Sequence, residues 1–171
     1  MASISQKILF LVTLCASAPL AAQTCNPHIR TTAPTSRYTV NVGQGLVLDK
    51  QTGLMWKRCS EGQSGTNCAI GAVVNFDWGT ALSRAAGSTY AGYTDWRLPN
   101  TKELESLVEY QCSLPAINLA VFPNATSDVH WSSSPDAFSS YTAWAVNFGY
   151  GAYGVGFRFF SLAVRLVRGG Q

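Results

Sequence analysis

The sequence predicts an α+β fold built on antiparallel sheet, and three observations carry that reading. Alternating apolar and polar residues fill residues 38–57, helical spacing fills two stretches between residues 77 and 109, and alternation returns after residue 129. Strands come first, then helices, then strands again, whereas a parallel sheet needs helices between successive strands. The 171 residues make room for a single domain.

The elements follow in chain order. Lys7, the apolar run Ile8–Leu14 and an Ala-rich exit read as a secretory signal peptide over residues 1–22, with cleavage after Ala22. That apolar run is too short to span a bilayer, and no later segment is long and apolar enough to do so. Residues 23–37 are polar, with Pro27 and Pro34, and read as an extended N-terminal arm ahead of one domain over 38–171. Tyr38–Val42 alternates as a strand does. Leu46–Asp49 and Leu54–Lys57 flank a turn that leaves through Gly53.

The first helix shows an apolar face at Trp78, Ala81, Leu82 and Ala85, with Asp77 as N-cap and Gly87 as stop. The second follows Pro99, with Asn100 and Glu103 spaced as a capping box. Leu104, Leu107 and Val108 form its buried face, and Glu105 and Glu109 are expected on its outer face. Four strands are expected near residues 130–134, 143–148, 155–159 and 163–167.

Export makes the cysteines interpretable. Cys15 leaves with the signal, and four remain for an oxidising compartment. Cys59 and Cys68 flank a short polar loop, and pairing them leaves Cys25 to join Cys112. A zinc site is the rival reading. It lacks a C-x-x-C knuckle, and the exported chain holds just His28 and His130, so neither metal nor cofactor is expected.

Four motifs occur in order: Gly53-Leu54-Met55-Trp56; Gly92-Tyr93-Thr94-Asp95-Trp96-Arg97-Leu98-Pro99-Asn100; His130-Trp131-Ser132-Ser133; and Val164-Arg165-Leu166-Val167-Arg168-Gly169. The series resembles the DUF1566 family, the Lcl C-terminal domain, over residues 45–170. The resemblance implies a C-type-lectin-like fold related to the formylglycine-generating enzyme, with two helices packed on a twisted antiparallel sheet with long loops. It also implies a bacterial exported or surface protein, in a family whose namesake is associated with adhesion to sulfated polysaccharides. Within the motifs, Trp56, Trp96, Leu98 and Trp131 read as core anchors, Trp96 and Leu98 under the second helix. Pro99 sets the helix start, and Arg97 and Arg165 read as structural arginines.

Other patterns fall away on their chemistry. Gly149-Tyr150-Gly151-Ala152-Tyr153-Gly154 fits G-x-G-x-x-G, yet strand alternation follows it and no acid lies downstream, so it reads as a hairpin tip displaying Tyr150 and Tyr153. Asp128, His130 and Ser132 sit at alternate strand positions, about 7 Å apart, too far for a hydrogen-bonded triad. Glu103, Glu105 and Glu109 read as a solvated helix face. Formylglycine-generating chemistry needs late reactive cysteines, and none follows Cys112. The formal net charge of +3, without a basic cluster, gives no sign of nucleic-acid binding.

One region keeps a functional reading. From Ala137 onward there are three arginines and no acid, with Tyr141, Trp144, Tyr150, Tyr153 and Arg158 as candidate ligand contacts. Aromatic faces stack on sugars, and guanidinium forks bind sulfate or carboxylate. The bland reading makes the Phe and Trp residues core and the arginines solvated. The expectation is a non-enzymatic exported binding module, periplasmic, cell-surface or extracellular, for a polysaccharide or a cell-envelope protein, with oligomerisation supplying multivalency. The alternative is a structural subunit of an envelope or appendage assembly, docking through the arm or the C-terminal strand.

Overall fold

The structure, a computed structural model, describes residues 23–169. The expected leader lies outside the described residues. Among the described residues, nine strands in three antiparallel sheets and two α-helices follow in chain order: β1 (Thr24–Cys25), β2 (Tyr38–Asn41), β3 (Leu46–Asp49), β4 (Met55–Lys57), α1 (Trp78–Ala86), α2 (Thr101–Glu105), β5 (Cys112–Ser113), β6 (Val129–Pro135), β7 (Thr142–Asn147), β8 (Ala152–Phe157) and β9 (Val167–Arg168). The sheet orders are β1-β5, β2-β3-β4-β9 and β6-β7-β8. The fold is therefore α+β and antiparallel, but its strands do not form one sheet.

The division comes from the C-terminal segment. Ala163 pairs with β6 while Val167 pairs with Trp56 and Arg97, so the chain crosses from one sheet to the other within a few residues. The strand expected over 163–167 is thus reduced to β9 and a bridge. Arg165, between the two anchor points, turns inward and donates to the carbonyl of Lys57 and to Ser60 Oγ (3.0 Å). It is 1% exposed and lies over the Phe122 ring. Burial pushes its pKa down to about 10.

Both helix starts form as the sequence reads. Asp77 accepts the Thr80 N–H, and α1 buries Ala81 and Ala85. Asn100 and Glu103 close a reciprocal capping box. However, α2 ends at Glu105, so the i, i+4 projection of Glu109 onto its outer face fails. Glu109 is instead buried and accepts the N–H groups of Thr32 (3.0 Å) and Ala33 (2.9 Å), which holds the arm on the body.

Two clusters make the core. Trp56, Leu104, Leu107, Val108, Phe122 and Phe148 belong to one. Trp131, Trp96, Leu98, Ala81 and Ala85 belong to the other. Trp56 and Trp131 are fully buried anchors. Trp96 and Leu98 pack in the α1 cluster rather than under α2, because Pro99 turns the chain between them and Leu104. Disulfides Cys25–Cys112 and Cys59–Cys68 are both formed, and the first joins β1 to β5. Such bridges fit an oxidising extracellular or periplasmic compartment. Among the described residues no helix is long and apolar enough to cross a membrane.

Candidate functional site

The outer hairpin β7–β8 carries all five residues that the sequence singles out. Its turn comes earlier than the glycine pattern suggests. Asn147 accepts the Gly149 N–H with its side chain (2.7 Å) and the Gly151 N–H with its carbonyl (2.9 Å), closing the turn by Gly151. Pairing resumes at Ala152 and runs to Phe157. Tyr150 is therefore at the turn and exposed, whereas Tyr153 lies within β8.

Directly opposed residues of an antiparallel pair share a face. Trp144 opposes Val155, and Val146 opposes Tyr153, which brings Trp144 and Tyr153 together. Their rings lie 6.0 Å apart, tilted by 49°. Lys102, from α2, places its ammonium 5.2 Å from the Tyr153 ring centre and 2.9 Å from Glu105 Oε2. The Glu105 bond holds the Lys102 pKa above its ordinary value. Half-exposed Tyr110 donates to the other Glu105 oxygen (3.4 Å) and flanks Gly151. Burial, then Glu105, raises the Tyr110 pKa. These contacts assemble an aromatic platform edged by one ammonium and one carboxylate.

Tyr141 and Arg158 stand at the other end of the hairpin. The Tyr141 carbonyl accepts the Arg158 N–H (2.9 Å), and the Tyr141 ring is exposed. Arg158 donates Nε to Thr142 O (3.0 Å) and stacks 4.2 Å over the Trp78 ring. Its terminal nitrogens have no hydrogen-bond partner among the described residues. Arg168, by contrast, is held by Asp95 (2.6 Å), and Arg165 is buried. The five sequence candidates thus split into a Trp144–Tyr153 group near Tyr150 and a Tyr141–Arg158 group.

Lys102 and Tyr110 escape the sequence reading, since helix and loop positions far along the chain reach the hairpin only through the fold. Phe159 and Phe160 escape it too. They pack on Phe157 at 5.4 and 5.5 Å yet remain exposed, against the reading of these rings as core. On the hairpin's opposite face Val129, Ala145, Gly154, Gly156, Phe160 and Leu162 line an apolar groove of about 350 Å³.

Asp128, His130 and Ser132 form no mutual side-chain triad. His130 Nε2 meets Ser60 Oγ at 3.3 Å, and Ser132 Oγ donates to Trp144 O at 2.7 Å. Among the described residues no group of three or more His, Cys, Asp or Glu could hold a metal ion.

The motifs flanking this hairpin settle the family. Arg97 pairs with Val167, Trp56 with Val167, and the Ser133 N–H donates to the Pro99 carbonyl (2.8 Å), so the four sequence motifs meet in space. The model of the Lcl C-terminal domain family matches residues 45–168. The chain belongs to that family. No curated protein matches it. In this Lcl C-terminal domain the motif residues Trp56, Trp96, Leu98 and Trp131 are buried, while the aromatic platform sits outside the motifs.

Proposed function

We propose that the protein is an exported, non-enzymatic binding module, C-type-lectin-like in fold, that holds a polysaccharide chain against the outer hairpin. The observation that carries this reading is the Trp144–Tyr153 ring pair with the Lys102 ammonium beside it. Half-exposed rings on a rigid strand offer apolar area with little rotamer entropy to lose, and flanking polar groups give direction to hydroxyls. Arg158, with its terminal nitrogens uncommitted, is the hairpin's contact for a sulfate or carboxylate.

The two docking elements of the structural-subunit alternative, the arm and the C-terminal strand, both carry partners within the chain. The arm is pinned by Cys25–Cys112 and Glu109, and β9, the end strand of its sheet, pairs with β4 and is bridged by Arg97 on its other side. The end strands β2 and β8 also offer edges for such a role.

The test is binding of the oxidised protein to neutral and sulfated glycans at low and high salt. Tyr150→Ala combined with Tyr153→Ala should weaken binding at least tenfold while leaving the melting midpoint in place, because both rings are largely exposed. Loss of binding to sulfated chains at high salt reports the charge contribution, and Arg158→Ala isolates the share of Arg158. Folded protein that binds nothing across the panel overturns the reading.

A further inference from the structure

β8 is the outer strand of its sheet, and its free side is unusually open. The Arg158 N–H to Tyr141 O bond fixes the phase of the β7–β8 ladder. Residues 152, 154 and 156 exchange bonds with β7, so Tyr153, Val155 and Phe157 turn their N–H and C=O groups outward. The Phe157 carbonyl takes the Phe160 N–H (2.8 Å). The other outward groups have no hydrogen-bond partner among the described residues. Natural edges are guarded by charges, prolines or bulges. Ala152–Phe157 has no charge and no proline, and pairs with β7 in unbroken register.

We propose that β8 pairs antiparallel with β8 of a second copy, about a two-fold axis through Val155, joining two three-stranded sheets into one of six strands. The sequence around that axis fits it. Tyr153-Gly154-Val155-Gly156-Phe157 reads aromatic, glycine, valine, glycine, aromatic in either direction. An isologous contact requires such self-complementarity. Centred on Val155, it sets Tyr153 opposite Phe157 of the second copy, twice, and Val155 opposite itself. Shifting the axis by half a register to Gly154 would set Tyr153 against Val155 and Phe157 against Gly151, losing both aromatic pairs.

The outward groups suffice for four hydrogen bonds between copies, two at Val155 and two from Phe157 N–H to the Tyr153 carbonyl. Arg158 falls opposite Ala152, so no like charges meet. Apart from the Tyr153 ring, the exposed parts of Phe157, Phe159 and Phe160 (48, 72 and 46%) offer roughly 330 Å² of aromatic area per copy, against about 800 Å² per partner in a stable interface. Strand backbone and Val155 supply further area.

The pairing also sets the two Tyr153 rings on one face, about 14 Å apart. One polysaccharide chain would then meet two platforms, a gain in avidity. That consequence rests on the proposed function, while the pairing itself does not.

Sedimentation velocity of the oxidised protein up to about 1 mM tests it. The expected result is a concentration-dependent dimer. Val155→Lys sets two ammonium groups against each other on the axis and should give a monomer with unchanged circular dichroism. Val155→Pro removes one outward N–H and no bond to β7, and should do the same. A wild-type protein that stays monomeric overturns the proposal, as does a dimer that survives in a folded Val155→Lys or Val155→Pro variant. Glycan binding by a monomer would leave the proposed function standing without the dimer.

Discussion

Arg97 grips Glu103 with both terminal nitrogens, each 2.7 Å from a carboxylate oxygen. The same carboxylate accepts the Asn100 N–H at 2.8 Å, so one side chain serves as ion-pair partner and helix cap. Arg97 also reaches the Gly169 carbonyl (3.1 Å), and its backbone pairs with Val167. The Trp-Arg-Leu-Pro-Asn motif therefore fastens the start of α2 to the C-terminal strand.

Glu103→Ala should lower stability by about 1–3 kcal/mol, from a lost cap and a stranded, partly buried guanidinium. Glu103→Gln should cost less, because glutamine also closes a capping box. Burial pulls the Glu103 carboxyl up, but Arg97 and the Asn100 N–H outweigh it and hold the pKa below its usual value. The stabilisation is thus present above the ordinary glutamate pKa and fades as pH falls below it. Urea denaturation at neutral and acidic pH reads both effects. Equal loss for the two variants would refute the capping role.

The two disulfides should differ in worth. Cys25–Cys112 spans 87 residues and Cys59–Cys68 spans 9. Chain entropy assigns the long loop about 4–5 kcal/mol and the short one about 2–3 kcal/mol. Paired Cys→Ser substitution should lower the urea midpoint more for Cys25 and Cys112. The reverse order would mean that the arm contributes little beyond its contacts through Glu109.

Local signals in the sequence locate the helix starts, the β3–β4 hairpin, both disulfides and the family. Each depends on residues close in sequence, or on cysteines limited to few pairings. Asp77 with Thr80, and Asn100 with Glu103, are cases where a cap and its target lie within one turn. What depends on distant partners is not legible that way. Glu109 reads as solvated until Thr32 and Ala33 are placed against it. Phe159 reads as core by hydrophobicity, yet β8 ends its sheet and leaves the ring uncovered. The candidate site was half visible: Trp144 and Tyr153 stand out as aromatics on one hairpin, but Lys102 arrives from a helix some forty residues earlier.

Gly151 marks where the hairpin turn presses on the body. It has φ +74°, and an added Cβ would stand 2.6 Å from Val108 Cγ1 and 3.3 Å from Tyr110. Val108 is buried, so it has little room to give. Gly151→Ala should therefore cost about 1–3 kcal/mol through left-handed strain and overpacking. Gly154 provides the contrast, since a Cβ there meets nothing within 4 Å. Gly154→Ala should leave the melting midpoint nearly unchanged. If both variants melt together, the turn is not wedged against Val108.

His130 gives the protein a specific acid sensitivity. It is 1% exposed and stands edge-on to Phe148 at 5.1 Å. Arg165 Nη2 donates to Ser60 Oγ (3.0 Å), which leaves the Ser60 hydroxyl proton for His130 Nε2 (3.3 Å). His130 Nδ1–H then donates to the Asp128 carbonyl (3.3 Å), so the network assigns one neutral tautomer. Burial and the Arg165 charge push the His130 pKa down to about 3. An unfolded histidine titrates near pH 6.5. Between these values the unfolded chain binds the extra proton, so stability falls as pH drops through the window, by up to about 1.4 kcal/mol per pH unit. His130→Gln should be less stable than wild type at pH 7, through loss of ring packing and of this bond pattern. It lacks the titrating group, so the gap should narrow as pH falls from 6.5 toward 4. Urea midpoints for the two proteins that stay parallel over that range would show that His130 takes up its proton in the folded protein as readily as in the unfolded chain, and that its pKa is not depressed.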